Sequence, residues 1–222
     1  MSIAPMSTVS DPAPATASGP LSAPLVAGVD LLSGSLHEAD TAAQLLVARL
    51  ALFGITDSLT VATHFTRRGP FPHITLSLQL SGHDVDTGWS LLEATAPAGA
   101  GGVRGLWCGN QSSGPTQLCT AAAEGATAHA TRRSGRAVCF PGSDRLTGTL
   151  TVADVLSGSA IDRVRVLSAT TDAAPGTVLV TREHLRPTWS GGLLVLATEI
   201  AAGNTLVPFE NPDPTPCCAD HP

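Results

Sequence analysis

Ile161-Asp162-Arg163-Val164-Arg165-Val166-Leu167 is the stretch on which the reading of this chain turns. Val164 and Val166 alternate with Arg163 and Arg165. Successive side chains of an extended backbone point to opposite faces, so one face of this segment is apolar and the other wet. It reads as a strand, and it has neighbours of the same kind. Between residues 146 and 210, short apolar runs recur at 150–152, 161–167, 177–180, 193–196 and 206–209. Gly158, Pro175-Gly176, Pro187, Gly191-Gly192 and Gly203-Asn204 separate them. Such punctuation marks turns between strands. No intervening segment has the length or period of a helix. Closure removes exposed sheet edges, so this run predicts a small closed or half-closed β-barrel.

Upstream the pattern changes. Ser35 is followed three residues later by Glu38, the capping-box arrangement that satisfies the first free amides of a helix. Leu36, Ala39, Ala43, Leu46, Leu50 and Phe53 then share one helical stripe before Gly54, predicting a helix over 36–53. Strands are expected at 25–32, 58–65 and 73–80, the last two as a hairpin about the loop Arg67-Arg68-Gly69-Pro70. Asp84 and Asp86 open a second helix over 84–96, where carboxylates meet the positive end of the helix dipole. Val85, Trp89, Leu92 and Ala96 form its apolar face, Pro97 ends it, and a strand follows at 103–108.

The element order β-α-β-β-α-β predicts a ferredoxin-like, split β-α-β sandwich. Both helices would cover one face. The other would stay polar, carrying His73, Thr75, Ser77 and Gln79. The fold class expected for the whole chain is therefore α+β. An N-terminal ferredoxin-like sandwich (25–110) precedes a small C-terminal β-barrel-like domain (145–210), and a Gly/Ser/Ala-rich connector (111–144) joins them. Residues 1–24 read as a disordered Pro/Ala/Ser-rich tail, and 211–222 as an extended Pro-rich tail.

Composition narrows the function classes. The chain has 222 residues, 43% of them apolar, but only 4% aromatic and none of them Tyr, so the core is built from Val, Leu and Ala. All basic residues are Arg, and the net charge of −6 argues against a protein that grips nucleic acid by neutralising phosphates. No apolar run approaches the ~18 residues of a membrane span, and the first twenty residues lack the basic and apolar regions of a secretory signal. A cytoplasmic protein is the expectation, with its five Cys as thiols.

Three groups could carry chemistry. Cys217, Cys218 and His221 end the chain as Cys-Cys-x-x-His. Two thiolates and an imidazole suit zinc or copper, with Cys108, Cys119 or Cys139 as a further ligand, or a thiol-redox pair. Next come His64-Phe65-Thr66 and His73-Ile74-Thr75. These His-x-Thr pairs resemble the active-site motifs of the 2H phosphoesterases, a resemblance that implies an acid and a base histidine acting on a phosphodiester. In that family the motifs lie in separate halves of the chain, whereas these histidines are nine residues apart on one hairpin. No family is assigned on six residues, and His64, His73 and Thr75 are read as binding-face candidates on the polar side of the sheet. His83-Asp84-x-Asp86 is the third group, explained equally well as a helix start. Arg132, Arg133 and Arg136 form the one tight basic group, a solvated loop or a local anion contact, and Glu183-His184 reads as a charged turn before Pro187.

No nucleophile elbow, phosphate-binding Gly loop or dinucleotide fingerprint is present. The expected function is thus a non-catalytic binding or interaction protein with a protein or small-molecule partner, without nucleic acid or membrane. A metal-binding or thiol-redox protein using Cys217, Cys218 and His221 is the second expectation, and an enzyme with its site between the two halves the third.

Overall fold

A computed structural model describes residues 24–56, 59–68 and 71–211. In chain order the elements are β1 (Leu25–Ser33), α1 (Leu36–Ala51), β2 (Thr60–Thr66), β3 (His73–Leu80), α2 (Val85–Thr95), β4 (Gly105–Cys108), β5 (Gln111–Ser113), α3 (Thr116–Ala130) and β6 (Arg136–Cys139). Then follow β7 (Thr149–Thr151), α4 (Val152–Gly158), β8 (Arg163–Val166), β9 (Val178–Val180), β10 (Thr188–Ser190), β11 (Leu193–Ala201) and β12 (Thr205–Pro208). The protein is a mixed α+β chain with four helices and one large, mostly antiparallel sheet among the described residues. Its strand order is β5-β4-β1-β3-β2-β6-β10-β11-β12-β9-β7, with β8 added alongside β11.

The sheet is not closed into a barrel, which corrects the expectation for the C-terminal half. The five expected strands are present as β7, β8, β9, β11 and β12, but the sheet they belong to does not return on itself. β10 pairs with β6, β6 pairs with β2, and the sheet runs on into the N-terminal half. The nine residues of β11 are shared among three partners: Leu193 to Val195 with β10, Val195 to Thr198 with β8, and Thr198 to Ala201 with β12. The helix α4 is a further departure from the all-strand expectation. Thr151 caps it, accepting from Asp154 N while the Asp154 carboxylate accepts from Thr151 N, a capping box one turn long.

In the N-terminal half β1 lies between β3 and β4, and β3 lies between β1 and β2, all antiparallel. Leu76, Leu78 and Leu80 of β3, Val29 and Leu31 of β1, and Leu46 and Leu50 of α1 belong to one buried apolar cluster. A second cluster, with Val155, Val164, Leu179, Leu194 and Leu206, fills the C-terminal half.

The opposite face of this half-sheet is also covered, against the expectation of a solvated polar face. The cover is α3, which lies in the segment read as a connector. Pro115 holds the N-cap position and has no polar side chain to cap it, and Ala-rich sequence propagates it. Its buried side, including Leu118, Ala122, Gly125, Ala126 and His129, is made mostly of small side chains, so it seats almost flush. A Cβ built on Gly28 of β1 would stand 2.1 Å from the Ala122 carbonyl oxygen, and one on Gly105 of β4 would stand 2.5 Å from Leu118. Only glycine admits so close an approach of backbones. Among the described residues no helix is long and apolar enough to cross a membrane.

Candidate functional site

Alternation on β2 and β3 sends His64, Thr66, His73, Thr75 and Ser77 to the face under α3, and α3 adds His129. All six are buried. Burying polar groups is costly unless they are hydrogen-bonded, and here they partner one another. His64 Nε2 lies 2.7 Å from Ser77 Oγ, and His129 Nδ1 lies 2.8 Å from the same oxygen. A serine hydroxyl has a single proton, so it donates to one imidazole and accepts from the other. Burial disfavours the charged form of both rings. Burial is the main cause that pushes His64 down to about 4, with His129 beside it. Burial followed by the nearby Arg132 does the same for His129.

Beside this chain lies a second buried pair. His73 Nε2 is 2.8 Å from Asp30 Oδ2, with both side chains fully enclosed. His73 Nδ1 donates to Phe71 O at 2.8 Å, and Asp30 Oδ1 accepts from Leu32 N at 2.9 Å, where the backbone of Leu32 is left-handed at φ 58°. Every polar atom of that pair is occupied, so it fixes the end of β1 and offers nothing to a ligand. Thr75 Oγ1 donates to His64 O at 3.4 Å.

His64, with Thr66 and Thr75, reaches a cavity. Its ring is wedged between Gly125 of α3 and Gly135, where a Cβ would come within 3.2 Å of Cδ2 and 2.6 Å of Cε1 respectively. A cleft of about 100 Å³ opens beside it, lined by His64, Thr66, Thr75, Glu124 and Ser134 among others. Glu124 is answered by Arg68, whose Nε lies 3.1 Å and NH2 2.9 Å from Oε1. At the far end, His129 Nε2 and Trp189 Nε1 are buried without a hydrogen-bond partner. Their rings stand 6.2 Å apart, with the Arg132 guanidinium 5.0 Å from the Trp189 ring.

A charged cluster ties the halves together on the α1 side. Asp40 of α1 receives both Arg136 NH1 at 2.6 Å and Arg186 Nε at 3.0 Å. Arg136 also pairs with Glu210, and His184 Nε2 lies 3.2 Å from Glu210. Although burial opposes it, the guanidinium contacts hold the Asp40 carboxyl below its usual range, and Arg136 with His184 does likewise for Glu210. The basic group and the charged turn noted in the sequence therefore both contribute to an internal tie: Arg136 sits in the cluster, and Arg132 lies against Trp189. Near it, a cleft of about 580 Å³ lies between α1 and residues 139–145, with Cys139 in its wall. Burial pushes the Cys139 thiol up, away from the reactive thiolate.

The other sequence candidates fall as follows. Cys217, Cys218 and His221 lie outside the described residues. Cys108, Cys119 and Cys139 are free thiols, the Cys119 Sγ lying 3.3 Å from Ser113 O. Asp84 caps α2, accepting from Thr87 N at 2.8 Å, and Asp86 accepts from Gln111. Among the described residues no group of three or more His, Cys, Asp or Glu is placed to hold a metal ion. Ser77, His129 and Glu124 were not singled out from sequence. The one signal for them was Ser77 in the same alternation as His73 and Thr75. Comparison with protein-family models, with curated proteins and with solved structures returned no match.

Proposed function

We propose that this chain is a non-catalytic binding protein for a small polar molecule, held in the cleft beside His64. The observation that carries the reading is the position of that ring. His64 is fixed by Ser77 through Nε2, and its ring also lines a cleft walled by hydroxyls and a carboxylate. A cleft of about 100 Å³ has room for a few waters or a group of carboxylate size, taking ~30 Å³ per water. A buried, preorganised ring next to such a space is suited to recognition, since its orientation is settled before a ligand arrives. The raised Cys139 thiol weighs against a thiolate enzyme in the cleft between the halves.

On architecture, we infer that residues 25–108 form a split β-α-β unit of the ferredoxin-like type. The order β4-β1-β3-β2 with α1 and α2 on one face supports this, and α3 is an addition to the opposite face.

The test is an NMR titration of the full chain with acetate, inorganic phosphate, urea and methylammonium as separate probes. The expected result is a saturable shift of the His64, Gly125 and Gly135 signals with at least one probe, leaving Leu206 unmoved. If none of the four moves those signals, the proposal is wrong.

A further inference from the structure

Six donor and acceptor atoms in a row have a direction, and one end of this row is fixed. Trp189 Nε1 is a donor with no lone pair to offer. It is buried without a partner beside His129, and the Arg132 guanidinium lies over the same indole. The ring atom of His129 on that side, Nε2, is also unpartnered. An N–H at Nε2 would add a second stranded donor next to the indole N–H and a cation. A lone pair at Nε2 faces them favourably instead, either directly or through an intervening water. The proton of neutral His129 then sits on Nδ1 and is donated to Ser77 Oγ across 2.8 Å. Ser77 spends its one proton on His64 Nε2 across 2.7 Å. The proton of neutral His64 is left on Nδ1, the nitrogen not committed to Ser77.

We infer that the cleft beside His64 takes an oxyanion, a carboxylate or phosphate group, because the hydrogen bonds from His129 through Ser77 leave the His64 ring that lines it with an N–H donor at Nδ1. This rests on the binding reading above and names the ligand class. The walls agree. Thr66 Oγ1 already accepts from Arg68 N at 3.1 Å, so its hydroxyl proton is available, and Ser134 adds another hydroxyl. The one acidic wall, Glu124, has its charge offset by Arg68. A cationic or metal ligand would instead need a lone pair at His64 Nδ1, and that requires reversing every proton in the row.

Two measurements on the full folded chain test this. Ring nitrogen and carbon shifts of selectively labelled histidines report the tautomers. Both His64 and His129 are expected as Nδ1–H, and Nε2–H at His64 would overturn the inference whether or not any probe binds. In the titration, acetate or phosphate is expected to saturate at least ten-fold below methylammonium. Acetate alone binding identifies a carboxylate site and phosphate alone a phosphate site. Methylammonium or urea binding more tightly than both would overturn the oxyanion assignment while leaving the binding reading intact, and no probe binding defeats both. Trp189→Phe, which keeps an aromatic ring and removes the N–H, is expected to shift His129 measurably toward the Nε2–H form.

Discussion

Gly28→Ala should be the most informative single methyl in the protein. Its Cβ would sit 2.1 Å from the Ala122 carbonyl oxygen and 2.5 Å from the carbonyl carbon, so the obstacle is helix backbone, which has no rotamer to escape into. Ordinary contact begins at 3.4 Å, so α3 must retreat from β1 by more than 1 Å. Gly105 on β4 is also too close, at 2.5 Å from Leu118, so the helix cannot pivot towards β4 to make room. Overpacking of this kind costs about 1–3 kcal/mol. The retreat also stretches the 2.8 Å contact between Ser77 and His129 out of range, stranding buried polar atoms at roughly 1–3 kcal/mol more. For a chain of this size each kcal/mol lowers Tm by about 2–4 °C, so a fall on the order of 10 °C is expected. Thermal unfolding followed by circular dichroism is the assay, with Gly158→Ala as the control because nothing lies within 4 Å of a Cβ there. A Gly28→Ala protein melting within about 2 °C of the parent would refute the seating of α3 on β1 and, with it, the burial of the histidine row.

Other outcomes follow from the same geometry. His64 and His129 are held down at about 4 against an ordinary 6.5, so the unfolded chain takes up protons that the folded one refuses. Stability is full above about pH 6.5 and falls as pH drops towards 4, by roughly 3 kcal/mol per ring at most. Denaturant melts at pH 7 and pH 5 check the sign, and a Ser77→Ala protein should show a shallower dependence if water then reaches the rings. Asp40→Ala leaves Arg136 and Arg186 facing each other with side chains only 12% and 11% exposed. It should cost roughly 2–3 kcal/mol, somewhat below the loss for a fully buried pair, and urea unfolding measures it. Thr151→Ala removes the cap of α4 and should cost about 1 kcal/mol in the same assay.

The strands and the first two helices were legible because their signals are local. α1 begins at Leu36 after its Ser35 cap as expected, but it stops at Ala51, with Leu52 and Phe53 exposed. In the C-terminal half, apolar runs between breakers located five strands. They could not show that β10, the three residues Thr188-Trp189-Ser190 between Pro187 and Gly191, would bridge to β6. That pairing is a long-range matter, and through it the sheet runs on into the N-terminal half. The short helix α4 had left a mark in Thr151 and Asp154, three residues apart, within a segment read only for strands.

The candidate site was half legible for a deeper reason. Alternation on β3 says that one face carries Leu and the other carries His, Thr and Ser, but a polar face is not the same as a wet one. Hydroxyls and imidazoles are the side chains that can leave water if they find each other, since each can be donor or acceptor as its neighbour requires. Covering such a face takes a helix with little bulk and a sheet with gaps, and the chain has both: Ala and Gly along 116–130, and Gly28 and Gly105 on the strands beneath. Glycine inside a strand marks a place where another backbone comes close. Read together, strand glycines, an alanine-rich segment and an alternating His/Thr/Ser face specify a dry polar interface, although each alone reads as linker, coil or solvent. The atoms left unmatched along it, at His129 and Trp189 at one end and at His64 Nδ1 at the other, are then the informative ones. The His64 end of the row is the one that lines a cleft, and that end is where a ligand is to be sought.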